Sequence, residues 1–171
     1  MVVPARGLGY HGRSMSTPYH IGLYALVQHH GSYLMVRQVM STLPSGPYGL
    51  PGAALIGEVG GGVAELHLRR KLLSQLGLSV GELTLSGSHT LRTSDGQVLL
   101  NLIFGTDYNS GVPNPQPGVI TSMEWCSLED LQSRGDVPEW LLNTIRNYQE
   151  HLTATSSAVR SQGRSILKWG K

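Results

Sequence analysis

An α/β protein built on a mixed sheet with flanking helices is the fold class that the sequence predicts. Three observations lead there. Apolar runs of strand length alternate with only a few helical stripes. Their order is hairpin, glycine-rich loop, helix, hairpin, strand, helix, helix. That order lacks the regular strand–helix alternation of a Rossmann-type parallel sheet.

Each element has a local reason. Residues 19–27 are apolar, with Tyr19, Ile21, Leu23, Ala25 and Val27 forming one alternating set. His29-His30-Gly31-Ser32 reads as a turn, and 33–39 as a second strand, completing a hairpin. A Pro/Gly/Ser loop over 41–47 and a glycine-rich stretch through Gly57, Gly60, Gly61 and Gly62 follow. Residues 63–76 carry Leu68, Leu72 and Leu76 at i+4 steps, with Leu66 and Leu73 alongside, and so predict a helix. Gly77 is its natural C-cap. Residues 83–92 and 98–108 read as strands joined at Asp95-Gly96, a strong hairpin turn signal. Three prolines and two glycines make 109–118 a loop, and 119–125 is a further short strand. Ser127 is placed to cap a short helix, with Asp130 reaching back to it. Pro138 opens a longer helix with the stripe Trp140, Leu141, Ile145, Tyr148 and Leu152.

Composition narrows the function classes. The 171 residues suggest one domain over 19–152, between a loose arm (1–18) and a flexible basic tail (153–171). Charged residues are 14%, below the usual roughly 25%, and the 22 glycines are about twice the norm. The net charge of +2 implies no strong field for nucleic acid or a membrane surface. One cysteine, Cys126, excludes an intrachain disulfide and a cysteine-built zinc site. A reduced, cytoplasmic protein without a secretory signal is expected. The acid-free first 57 residues have something of a transit peptide, but a plain flexible arm fits their Gly and Pro content better.

Several pieces resemble the Nudix hydrolases, in order, over roughly residues 19–152. The strand Tyr33-Leu34-Met35-Val36-Arg37 has the family's look. Tyr48-Gly49-Leu50-Pro51-Gly52 is similar to the Trp-x-Leu-Pro-Gly-Gly run that precedes the family's catalytic helix. Arg70-Lys71-Leu72-Leu73-Ser74-Gln75-Leu76-Gly77-Leu78 resembles its Arg-Glu-Leu-x-Glu-Glu-x-Gly-Leu. Trp125 and the following Leu128 and Leu131 resemble its closing strand-to-helix segment. The resemblance implies an α/β/α sandwich around a mixed sheet. It also implies Mg²⁺- or Mn²⁺-assisted cleavage of a nucleoside diphosphate linked to another group, with glutamates on the helix holding the metal.

This chain departs from that pattern where the chemistry sits. Aligned back from Gly77, the family's glutamates correspond to Gly62, Lys71, Ser74 and Gln75, and Arg70 is retained. A lysine a few Å from the metal adds roughly 4 kcal/mol of repulsion per unit of the metal's charge at an effective dielectric near 20. The expectation is therefore a degenerate member, with no cofactor, that binds a nucleotide-type small molecule or a partner. Its candidate ligand contacts are Arg37, Tyr48, Gly52, Gly61 and Arg70. The glycine run before the helix offers backbone N–H groups for a phosphate, or is only a flexible insertion.

Two alternatives stand beside it. One is a divergent active hydrolase holding Mg²⁺ or Mn²⁺ with Glu58 and Glu65, which otherwise read as a solvated loop residue and a helix-dipole partner. The other is a structural interaction module, for instance a homodimer. Tyr48, Tyr108 and Trp125 are candidates to stack on a base, with strand-end core packing as the plainer reading. His29 and His30 read as a solvated turn, and Cys126 as a buried, inert thiol.

Overall fold

The structure is a computed structural model describing residues 19–39, 49–57, 60–92 and 96–166, with side chains described between 20 and 154. Seven strands form one mixed sheet. They are β1 (Tyr19–His29), β2 (Ser32–Gln38), β3 (Gly52–Leu55), β4 (Leu78–Val80), β5 (Thr84–Arg92), β6 (Val98–Gly111) and β7 (Ile120–Ser127). The helices are α1 (Val63–Leu76), α2 (Leu128–Ser133) and α3 (Glu139–Ile166).

β1 is the hub. It lies parallel to β6 from Tyr19↔Val98 to Gln28↔Asp107. Along its other edge it pairs antiparallel with β3, from Ile21↔Leu55 to Tyr24↔Gly52. The hairpin with β2 exists but is short, holding only Gln28↔Tyr33 and His29↔Ser32. β2 then leaves to pair along its length with β7. Residues Leu23 to Val27 are buried on both faces, as befits a strand with a parallel neighbour and both faces covered.

Two apolar layers result. On one face α1 sets Leu68, Leu72 and Leu76 against Leu23, Ala25, Val27, Leu34, Val36 and Phe104. On the other, α2 and α3 set Leu131, Leu141, Ile145 and Tyr148 against Tyr24, Leu26, Tyr33, Met35 and Ile103. This is the expected α/β/α sandwich.

The local expectations meet mixed outcomes. α1 has the predicted bounds and ends on Gly77, which adopts φ 70° and donates its N–H to Leu73 O. Leu66 and Leu73, however, are exposed. They project about 100° or more around the helix from the Leu68–Leu72–Leu76 stripe, so they cannot reach the sheet. The capping box of α2 is present: Asp130 N–H donates to Ser127 Oγ (3.0 Å) and Ser127 N–H to Asp130 Oδ2 (3.1 Å). β3 lies in the stretch read as a glycine-rich loop, β4 lies in residues given no element from the sequence, and β6 runs on through 109–111. α3 continues to Ile166, through most of the stretch expected as a tail. The arm over 1–18, the loop over 41–47 and most of the 93–96 turn lie outside the described residues.

One close approach fixes α3. Gly105 on β6 lies beneath the Tyr148 ring, where a Cβ would overlap the ring carbons. At the same point β5 bulges between Leu85 and Gly87, and Gly105 N–H donates to Ser86 Oγ at 3.0 Å. Gly105→Ala is expected to destabilise the protein by about 1–3 kcal/mol through overpacking, read as a lower urea midpoint. Ser88→Ala, an exposed change on β5, is expected to stay within about 0.5 kcal/mol.

Candidate functional site

α1 decides what chemistry the α1 side of the sheet can do. Its N-terminus is preceded by Gly60, Gly61 and Gly62, and Gly62 occupies the N-cap in the left-handed conformation (φ 64°) with no side-chain cap. Gly61 is exposed. Glu65 is exposed in the first turn, where a carboxylate complements the helix dipole. Further along, Lys71 and Gln75 are half-buried and Ser74 is exposed, its hydroxyl donating to Lys71 O at 3.3 Å.

The two arginines of α1 behave differently. Arg69 donates from both terminal nitrogens to Val80 O and Gly81 O, each at 2.6 Å. It fastens α1 to the end of β4. Arg70, the position matched by sequence, is exposed on the outer side.

Alternation separates the other expected contacts. Leu34 and Val36 face α1 while Tyr33 and Met35 face α3. Arg37 therefore belongs to the α3 side, away from Arg70 and the glycine run. There its charge helps hold the Glu124 carboxyl below its ordinary range, behind the larger effect of Arg134, whose guanidinium sits 2.7 Å from Glu124 Oε1. Gly52 is buried against β1, and its carbonyl accepts from Gln38 Nε2 at 2.8 Å. A Cβ there would overlap Leu23 O, so its glycine serves strand contact. Tyr48 and Glu58 lie outside the described residues.

The structure assembles one cluster from residues that are separate in the sequence. At the far end of the β1–β6 pair, His29 meets Tyr108 edge-on (ring centroids 4.6 Å) and Trp125 at 5.6 Å. Tyr108 and Trp125 are themselves 6.1 Å apart and nearly perpendicular. His30 extends the group, 4.1 Å from His29. The three inner rings are half-buried and His30 is exposed. The segment after β6 links this cluster to α1. Tyr108 Oη donates to Gly111 O (2.7 Å), Asn114 N–H to Leu76 O (2.8 Å) and Gln116 N–H to Gln75 O (2.7 Å). Aromatic stacking candidates Tyr108 and Trp125 thus share one place on the α1 side. His29 belongs with them, although its turn-like neighbours gave no signal for it.

The comparisons locate this architecture among known proteins. A MutT Nudix hydrolase from Burkholderia pseudomallei superposes with a TM-score of 0.63 at 18% identity, covering 76% of this chain and 98% of that one. A MutT protein from Methanosarcina mazei Go1 gives 0.61 at 19%, covering 81% and 99%. A UDP-X diphosphatase gives 0.61 at 16%, covering 82% and 68%. This chain has the Nudix fold. No family model matches the sequence, and no curated protein matches it.

Within that Nudix fold the metal implied by the resemblance does not fit α1. Mg²⁺ gives up its water reluctantly and is held through carboxylates. The helix offers an ammonium, a hydroxyl and an amide at Lys71, Ser74 and Gln75. Among the described residues no three His, Cys, Asp or Glu side chains gather in metal-binding range. On the opposite face Cys126 is buried, and desolvation pushes its thiol up to about 11. No helix among the described residues is long and apolar enough to cross a membrane.

Two outcomes follow from this geometry. Arg69→Ala is expected to cost about 2 kcal/mol, since it removes two charge-assisted hydrogen bonds, whereas Arg70→Ala should stay within about 0.5 kcal/mol. Urea unfolding of the two variants side by side checks the difference. Because the Cys126 thiol is raised in the folded state, its protonated form adds stability that is complete below pH 9. That contribution declines as pH rises toward 11. Native protein at pH 8 should therefore leave Cys126 unmodified by iodoacetamide, and the protein unfolded in urea should be modified within minutes.

Proposed function

We propose that this Nudix-fold protein binds a nucleoside-diphosphate-type ligand on the α1 side of the sheet, with metal-dependent pyrophosphate hydrolysis lost or weak. The residue set on α1 carries this reading. Lys71 stands where pyrophosphate cleavage needs a carboxylate, and Ser74 and Gln75 are neutral. A cation there repels Mg²⁺ and attracts phosphate, so one substitution weakens catalysis and favours anion binding.

The aromatic cluster supports the other half of the ligand. His29, Tyr108 and Trp125 are half-exposed rings at 4.6–6.1 Å from one another. Such a group offers a π face or edge to a planar base. The similar UDP-X diphosphatase is a protein named for a nucleoside-diphosphate substrate, which is consistent with that ligand class. No resident cofactor belongs to this reading, and a reduced cytoplasmic setting suits the buried thiol.

The test is a titration with ADP-ribose in EDTA, followed by tryptophan fluorescence and by melting temperature. Saturable binding is expected, with a raised melting temperature and no further shift when Mn²⁺ replaces EDTA. Lys71→Glu should weaken binding about tenfold, while Glu58→Gln leaves it unchanged. Saturable Mn²⁺ binding together with ADP-ribose cleavage that Glu58→Gln abolishes would establish instead the active hydrolase through Glu58 and Glu65.

A further inference from the structure

The β1–β2 hairpin turns on two residues, His30 and Gly31, between the paired His29 and Ser32. Both have positive φ, 50° at His30 and 79° at Gly31. Two successive positive values define the type I′ turn, whose twist matches the strands it joins and whose preferred sequences are Asn-Gly and Gly-Gly. Gly31 meets that preference. His30 does not, and among the described residues it is the sole non-glycine residue with positive φ. Histidine enters this region more readily than branched or bulky side chains, but asparagine and glycine are what the turn favours.

Core packing does not select this residue, because His30 is exposed. What the turn gives its imidazole is a place in the aromatic cluster. The His30 ring centroid lies 4.1 Å from that of His29, with the two planes 51° apart. His29 in turn meets Tyr108 at 4.6 Å and Trp125 at 5.6 Å. His30 is therefore a fourth ring on the solvent side of the group, backed by His29. A backbone conformation unusual for its residue, kept beside a cluster of half-exposed rings, points to use of the side chain. At 4.1 Å the two imidazoles leave no room for a base between them, so a base has to lie on the outward face of the His30 ring. Stacking needs a planar partner, which a base supplies and a phosphate does not. We propose that His30 is a ligand-contact residue, its imidazole stacking on the base of the nucleoside diphosphate. This deepens the nucleotide reading and rests on it, by naming the side chain that meets the base.

The experiment pairs affinity with stability. Full-length wild type, His30→Asn and His30→Gly are titrated with ADP-ribose in EDTA and melted in its absence. His30→Asn should melt at or above the wild-type temperature, because asparagine suits the turn better. Both variants should bind ADP-ribose about fivefold or more weakly, because the stacking ring is gone. A purely structural role for His30 does not produce that opposition of stability and affinity. Proton NMR gives the contact itself. The His30 Cε1 proton, assigned by its loss in His30→Asn, should move upfield on adding ADP-ribose and stay in place on adding inorganic pyrophosphate, which has no ring. Equal ADP-ribose affinity in all three proteins, or an equal NMR shift with pyrophosphate, would overturn this inference alone. So would a His30→Asn protein that melts well below wild type, since the turn would then favour histidine for its own sake. Absence of saturable ADP-ribose binding by the wild type would overturn the nucleotide reading and this inference together.

Discussion

The parallel pairing of β1 with β6 is the constraint on which the rest depends. β1 gives both edges to other strands and both faces to helices, so Leu23 to Val27 sit with essentially no solvent contact. One register sets three things together. It brings Gly105 to the position where Tyr148 can lie on the backbone. It places Phe104 under α1 and Ile103 under α3. It also carries His29 to the end of the sheet beside Tyr108. A slip of one residue would exchange the two faces of the strand and lose both layers at once.

The same register explains what the sequence could reveal. α1 was legible because its stripe and its terminal glycine are local signals, complete within fifteen residues. The Ser127–Asp130 box was legible for the same reason. β3 and β4 were not, since strands of four and three residues next to glycines draw their stability from partners far away in the chain. The aromatic cluster was half legible. Tyr108 and Trp125 could be named as stacking residues, but joining them to His29, 79 positions before Tyr108 in the chain, needs the β1–β6 pairing. Arg37 shows the converse. Its charge and strand were readable, while its face depends on which layer α1 covers, and that is a property of the assembled sheet.

Electrostatics on α1 then separates fold from chemistry. The Nudix fold rests on apolar contacts, Gly77 and the Arg69 clamp, none of which requires a carboxylate. Pyrophosphate cleavage rests on several carboxylates converging on a hard cation. Lys71, Ser74 and Gln75 leave the first set intact and supply no carboxylate to the second. This is the general case of function residing in sites grafted on folds, seen here along a single helix.

That separation bears on the outer face of the helix too. Leucine is a good helix former, so helical propensity accounts for Leu66 and Leu73 on the exposed side. The core does not call on them, since the face toward the sheet is already filled by Leu68, Leu72 and Leu76. One helix thus answers to two demands, its inward face to packing against the sheet and its outward face to solvent and helical propensity.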